Sequence, residues 1–232
     1  MGDDAPSYEE WERYCFTQGE ADFAECAEDD MAYDRHEHFT TFDSATLIEF
    51  LVRLFADESH IIERYTTRQL ADGIRFVFGY GSESMFEFVY ADASAKDIKR
   101  RFRAVGDLYE RVFERVCLVD WTPMSDDSGG AGSQADDAID SAVYMIWDMG
   151  GIELALCNST HLVVDASYAL LDRILRRCTK PACLYSALHA LGHEVGGGGL
   201  RARRRIDRFL EVPGLPNHVV EYARSARTGS IQ

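Results

Sequence analysis

The 232-residue chain has five prolines and no apolar run long enough to cross a bilayer. A spanning helix needs about 20 consecutive apolar residues. The richest stretch, Leu47 to Phe55, is short and carries Glu49 and Arg53, so no membrane contact is expected. Met1 to Glu10 is acidic, lacks an apolar run and does not read as a secretory signal. The six cysteines, Cys15, Cys26, Cys117, Cys157, Cys178 and Cys183, form no CxxC pair. Scattered among apolar residues, they read as free thiols of a protein in a reducing cytoplasm rather than as a disulfide framework. G-x-S-x-G, P-loop and G-x-G-x-x-G motifs are also missing, and Gly79-Tyr80-Gly81 lacks the third glycine. These gaps leave no catalytic residue and no cofactor to assign.

The charge is plentiful and uneven. The net of −16 divides into 13 basic and 34 acidic residues up to Thr160, and 11 basic and 6 acidic residues from His161 onward. A strongly acidic body repels phosphates over most of its surface, which argues against general nucleic-acid binding. At 46% hydrophobic and 28% charged, the composition is otherwise that of an ordinary globular protein.

Apolar spacings of three and four dominate the pattern. Between Ser94 and Leu118 they link Ile98, Phe102, Val105, Leu108, Tyr109, Val112, Phe113 and Val116 into one helical stripe. Ser94 is its predicted N-cap, with Asp97 three residues on. Ser44 to Asp57 predicts a further helix, apolar enough to be buried on more than one side. A helix capped at Thr66 or Thr67 runs to Phe78, although Phe76, Val77 and Phe78 also suit a strand. Ser82 to Tyr90 is ambiguous in the same way. The first forty residues predict acidic helices around Tyr8 to Phe16 and Ala21 to Glu28. Ser125 to Asp136, reading SDDSGGAGSQAD, has linker composition. It divides an acidic helical half, residues 1–124, from a second half, residues 137–232. There, helices are predicted at Asp137 to Met149, His161 to Cys178, Pro181 to Val195, Leu200 to Leu210 and Asn217 to Arg224. Pro181 stands at a first helical turn, where its missing N–H costs nothing.

The second half carries a weak internal repeat. LLDRIL at Leu170 to Leu175 aligns with RIDRFL at Arg205 to Leu210, and SAVYMIWD at Ser141 to Asp148 aligns with SALHALGH at Ser186 to His193. A period near forty residues, built from two helices, resembles the HEAT and armadillo repeats. The resemblance covers about 90 residues with degenerate motifs. It implies an all-α fold of antiparallel helical hairpins stacked as an α-solenoid, because one hairpin cannot bury its apolar face alone. The first half shows no alignable repeat, and a plain helical bundle fits it equally.

Few residue sets suggest chemistry. His189 and His193, four apart, share one helical face and could chelate zinc. The order H-A-L-G-H-E is not the metalloprotease H-E-x-x-H, and no third ligand is evident in the sequence, so no metal site is assigned. His36, Glu37 and His38 sit in a polar acidic segment that reads as solvated surface. Cys178 and Cys183 read as structural thiols. The sharpest candidate is a basic ridge. Arg201, Arg204 and Arg208 point away from the apolar face of the Leu200 to Leu210 helix. Arg173 and Arg177 lie one turn apart on the equivalent earlier helix, and the repeat places Arg173 level with Arg208. A continuous positive strip on a negative molecule would dock an acidic protein segment or a phosphate-bearing ligand.

The sequence therefore predicts a cytoplasmic protein-interaction module or scaffold with an unidentified protein partner, a role implied by the solenoid resemblance. Two rivals remain open. An acidic inhibitor or immunity-type protein would neutralise a basic partner. An enzyme or nucleic-acid-processing protein would use a site with no recognisable motif.

Overall fold

The structure, a computed structural model, describes residues 5–56, 58–123, 137–157 and 159–231. The linker-like segment 125–136 lies outside the described residues. The chain is all-helical, with 76% of it in helix and no strand among the described residues. No described helix is long and apolar enough to cross a membrane.

The first half comprises α1 (Tyr8–Thr17), α2 (Gly19–Glu25), α3 (Asp30–Thr40), α4 (Ser44–Ala56), α5 (Glu58–Arg64), α6 (Thr67–Phe78), α7 (Ser84–Tyr90), α8 (Ala95–Leu108) and the short α9 (Glu114–Val116). A π-turn at Tyr109–Phe113 joins α8 to α9. Side chains set the starts of these helices. Ser7 and Glu10 form a capping box on α1, Thr66 and Gln69 form one on α6, and Ser94 accepts the Asp97 amide of α8. The capping box settles the helix-or-strand choice at residues 74–78. Phe76, Val77 and Phe78 are all fully buried on α6. Helical packing thus overrides their strand preference.

The second half comprises α10 (Ala138–Tyr144), α11 (His161–Arg177), α12 (Pro181–Gly196), α13 (Leu200–Leu210) and α14 (Asn217–Thr228). The helix predicted over Asp137 to Met149 shortens to α10 and then tightens into 3₁₀ turns at Met145–Asp148 and Gly150–Ala155. Gly151 permits this path. A Cβ there would lie 2.7 Å from the Phe86 backbone of α7.

Helix α12 is the hub of this half, with α10, α11, α13 and α14 packed around it. It is buried nearly all round, from Pro181 to Val195. A single buried apolar cluster runs through both halves, from Tyr8 to Ala226. Contacts of α6 with α10 and of α8 with α11 join the two.

Two buried charges in the first half have partners. The Glu12 carboxylate accepts the Tyr65 hydroxyl at 2.8 Å and Arg64 at 3.3 Å. Arg101 donates to the carbonyls of Phe88 and Ala91, satisfying the C-terminal end of α7. His36 is half-buried, with Nδ1 3.1 Å from the Tyr14 hydroxyl and its ring against Phe23 and Phe76. Burial holds its pKa below the ordinary value, against the opposing pull of the Gly81 backbone and Asp22. The folded chain therefore binds fewer protons at His36 than the unfolded chain. Stability is expected to fall as the pH drops below about 6.5, the unfolded value. Urea unfolding across that range should show a shallower decline for His36→Gln than for wild type.

Candidate metal centre

Helix α12 carries His189 and His193 on one face, one turn apart. Asp148 reaches the same point from the last position of the Met145–Asp148 turn, held by the buried Trp147 beside it. His189 Nε2 lies 2.7 Å from Asp148 Oδ2, and His193 Nε2 lies 2.9 Å from Asp148 Oδ1. The two Nε2 atoms are 2.9 Å apart. Burial raises the Asp148 pKa, but hydrogen bonds and positive charge from the two histidines outweigh it and leave the carboxyl below its ordinary value.

A proton cannot satisfy this arrangement fully. Two imidazole nitrogens face each other at hydrogen-bond distance, and each also faces a carboxylate oxygen. A single cation satisfies all three residues at once. Atoms 2.7–2.9 Å apart can each reach one ion at about 2.0–2.1 Å, the usual zinc–nitrogen and zinc–carboxylate distance.

Outer groups orient the buried histidine. His189 is 1% exposed, and its Nδ1 sits 2.7 Å from the Tyr222 hydroxyl of α14, itself 3.1 Å from the Tyr144 hydroxyl. Burial, and after it the bond to Tyr144, raises the Tyr222 pKa, so the hydroxyl stays protonated. Once an ion replaced the proton that bonds His189 to Asp148, Nδ1–H could donate to the Tyr222 hydroxyl, which donates in turn to Tyr144, and the Nε2 lone pair would be left for the ion. This is the tautomer a metal requires. Gly192 lets α14 come this close, since a Cβ there would meet Ile231 at 2.6 Å and the Ala226 backbone at 3.2 Å.

The third residue is outward-facing. The His193 side chain is 54% exposed and borders a cleft of about 150 Å³ lined by Trp147, Asp148, Glu153, Leu156, Ala190, His193 and Glu194. The lining charges are acidic. Glu153 accepts the Tyr80 hydroxyl at 2.8 Å. An ion on the three ligands would have its remaining positions open toward this cleft.

The other sequence candidates lie elsewhere. Arg173 turns inward to α8 and the π-turn, donating to Glu110 Oε1 at 2.7 Å, Asp107 Oδ1 at 2.7 Å and the Arg103 carbonyl at 2.9 Å. Arg201 pairs with Asp165 of α11 at 2.7 Å and lies over the Tyr168 ring. Arg208 is 3.8 Å from Asp172, which also takes Arg205 at 3.1 Å. Arg177 and Arg204 are exposed. The expected positive strip is therefore interleaved with acids of α11, and Arg173 is drawn away from it. Replacing Arg173 with Ala strips a charged donor from two half-buried carboxylates, which should cost about 1–3 kcal/mol in urea unfolding. The Asp29 side chain caps α3, and His38 packs edge-on to Phe39.

Sequence reasoning did not place Asp148 beside the two histidines. The want of a third ligand was the ground for assigning no metal, and the fold brings a candidate third donor to the pair. A signal was present in the repeat, which aligns Asp148 with His193. Compared with family models, curated proteins and solved structures, the chain matches none.

Proposed function

We propose that the chain is a metal-binding helical protein that holds a divalent first-row ion, with zinc the best fit, on Asp148, His189 and His193. The ion presents its free coordination positions to the acidic cleft beside α12. The observation that carries this reading is the mutual approach of three ligating side chains to within 2.7–2.9 Å. Two imidazoles and a carboxylate suit zinc and its neighbours better than calcium or magnesium. Three protein ligands with an open fourth position is the pattern of ions that act on a bound molecule rather than only bracing a fold. Calorimetric titration with Zn²⁺ tests it. His189→Ala and His193→Ala should each lose one equivalent relative to wild type, and unchanged stoichiometry in both would remove the proposal.

A second reading, an interaction module with HEAT-like stacked hairpins, is supported by the exposed arginines Arg201, Arg204 and Arg208 on α13. They would take an acidic segment of a protein partner, and capture would weaken with salt. Partner recovery from the native host should be lost in the folded Arg204→Glu/Arg208→Glu variant, and unchanged recovery would refute this role.

A further inference from the structure

The cleft beside α12 has a chemistry of its own. Trp147, Leu156 and Ala190 give it an apolar part, and Glu153 and Glu194 share it with Asp148 and His193. No Lys or Arg lines it among the described residues. Its volume of about 150 Å³ is that of a cavity able to take one benzene ring. It therefore admits a small molecule or a single chain end.

Glu153 is built into this cleft rather than loose on the surface. It belongs to the Gly150–Ala155 turn, whose Ile152 and Ala155 are fully buried. Its Oε1 accepts the Tyr80 hydroxyl at 2.8 Å, while its Oε2 has no protein partner among the described residues. One oxygen thus aims the carboxylate and the other is left for a ligand. Glu194 directly follows His193 and adds a second negative charge to the lining.

Charge decides which ligand the cleft favours. A divalent ion on Asp148 and two neutral imidazoles would keep one net positive charge. Glu153 and Glu194 more than offset it, so the loaded cleft would be negative. Phosphates and free carboxylates meet like charge there, whereas a protonated amine meets a carboxylate able to accept a charge-assisted hydrogen bond.

We propose, resting on the metal-centre reading above, that the cleft takes a small primary-amine compound. Its ammonium donates to Glu153 Oε2, and a carbonyl or hydroxyl oxygen of the same molecule takes an open position on the ion. Trp147, Leu156 and Ala190 suit the carbon chain that joins the two groups. Glu153 selects the amine, and Tyr80 positions Glu153.

The probes are β-alanine hydroxamate and butyrohydroxamate, which differ only in ending on an ammonium or on a methyl group. Both take zinc through the hydroxamate. They are titrated by calorimetry into the full chain loaded with one equivalent of Zn²⁺ at about pH 7, where the amine is protonated. β-Alanine hydroxamate should bind about tenfold more tightly or better, the weight of one hydrogen bond to a charged group. Glu153→Gln should abolish that preference. Tyr80→Phe should keep part of it, because the carboxylate loses its aim but not its charge. Equal affinity of the two probes for the zinc-loaded wild type, or binding of neither, would overturn this inference while the bound zinc leaves the metal centre standing. A preference undiminished in Glu153→Gln would overturn it as well. A chain that takes up no zinc would overturn the metal centre, and this inference with it.

Discussion

Zinc at about one hundred times its dissociation constant is expected to raise the melting temperature by roughly 5–11 °C, as about 2.7 kcal/mol of linkage energy does for a chain of this size. His189→Ala and His193→Ala should each remove nearly all of the shift, because two remaining ligands hold the ion weakly. Tyr222→Phe should keep a smaller shift. It leaves all three ligands but removes the hydroxyl that fixes the His189 tautomer, a change worth about 10–100-fold in affinity. The ordering of these three variants distinguishes a metal centre from a hydrogen-bonded cluster that happens to contain histidines. In the latter case zinc would shift none of them.

Trp147→Ala is expected to be among the most damaging single changes. Trp147 is 2% exposed and belongs to the buried cluster. Emptying such a site costs about 3–5 kcal/mol, or roughly 6–20 °C in melting temperature for a chain of this length. It should also weaken zinc binding, because Trp147 anchors the turn that delivers Asp148. Chemical denaturation and zinc titration of the same variant separate the two effects. A stable Trp147→Ala variant would show that the turn is not held by this side chain. A destabilised variant with unchanged zinc affinity would show that Asp148 is placed by the backbone alone.

Much of the fold was legible because it rests on local rules. Capping residues at Ser94 and Thr66, the proline opening α12 and the three-and-four spacing of apolar side chains all act within one or two turns. The site was only half legible for the same reason. His189 and His193 belong to one helix, so their shared face follows from spacing. Asp148 is 41 residues before His189 and meets it only because α10 tightens into a 3₁₀ turn after Tyr144. Helical periodicity extends smoothly through Met145 to Met149 and gives no sign of that change. Its setting is tertiary, with Gly151, three residues after Asp148, lying against the α7 backbone. The repeat held the missing information. The sequence alignment sets Asp148 opposite His193, and in the structure these two side chains meet at 2.9 Å.

The arginine ridge shows the opposite outcome. Spacing placed Arg201, Arg204 and Arg208 on the solvent side of α13, where they are exposed. It did not foresee that Asp165 and Asp172 of α11 would lie among them, or that Arg173 would be captured by Asp107 and Glu110. Helical spacing says which way a charge points but not which opposite charge a neighbouring helix presents to it.

The most direct test of the central claim is anomalous diffraction at the zinc absorption edge from crystals of the full chain grown with Zn²⁺. The account predicts a peak at about 2.0–2.1 Å from His189 Nε2, His193 Nε2 and an Asp148 oxygen. Its remaining coordination should face the cleft beside Glu153 and Glu194. Well-ordered density for the three side chains with no anomalous peak between them, at zinc concentrations that saturate binding in solution, would contradict it.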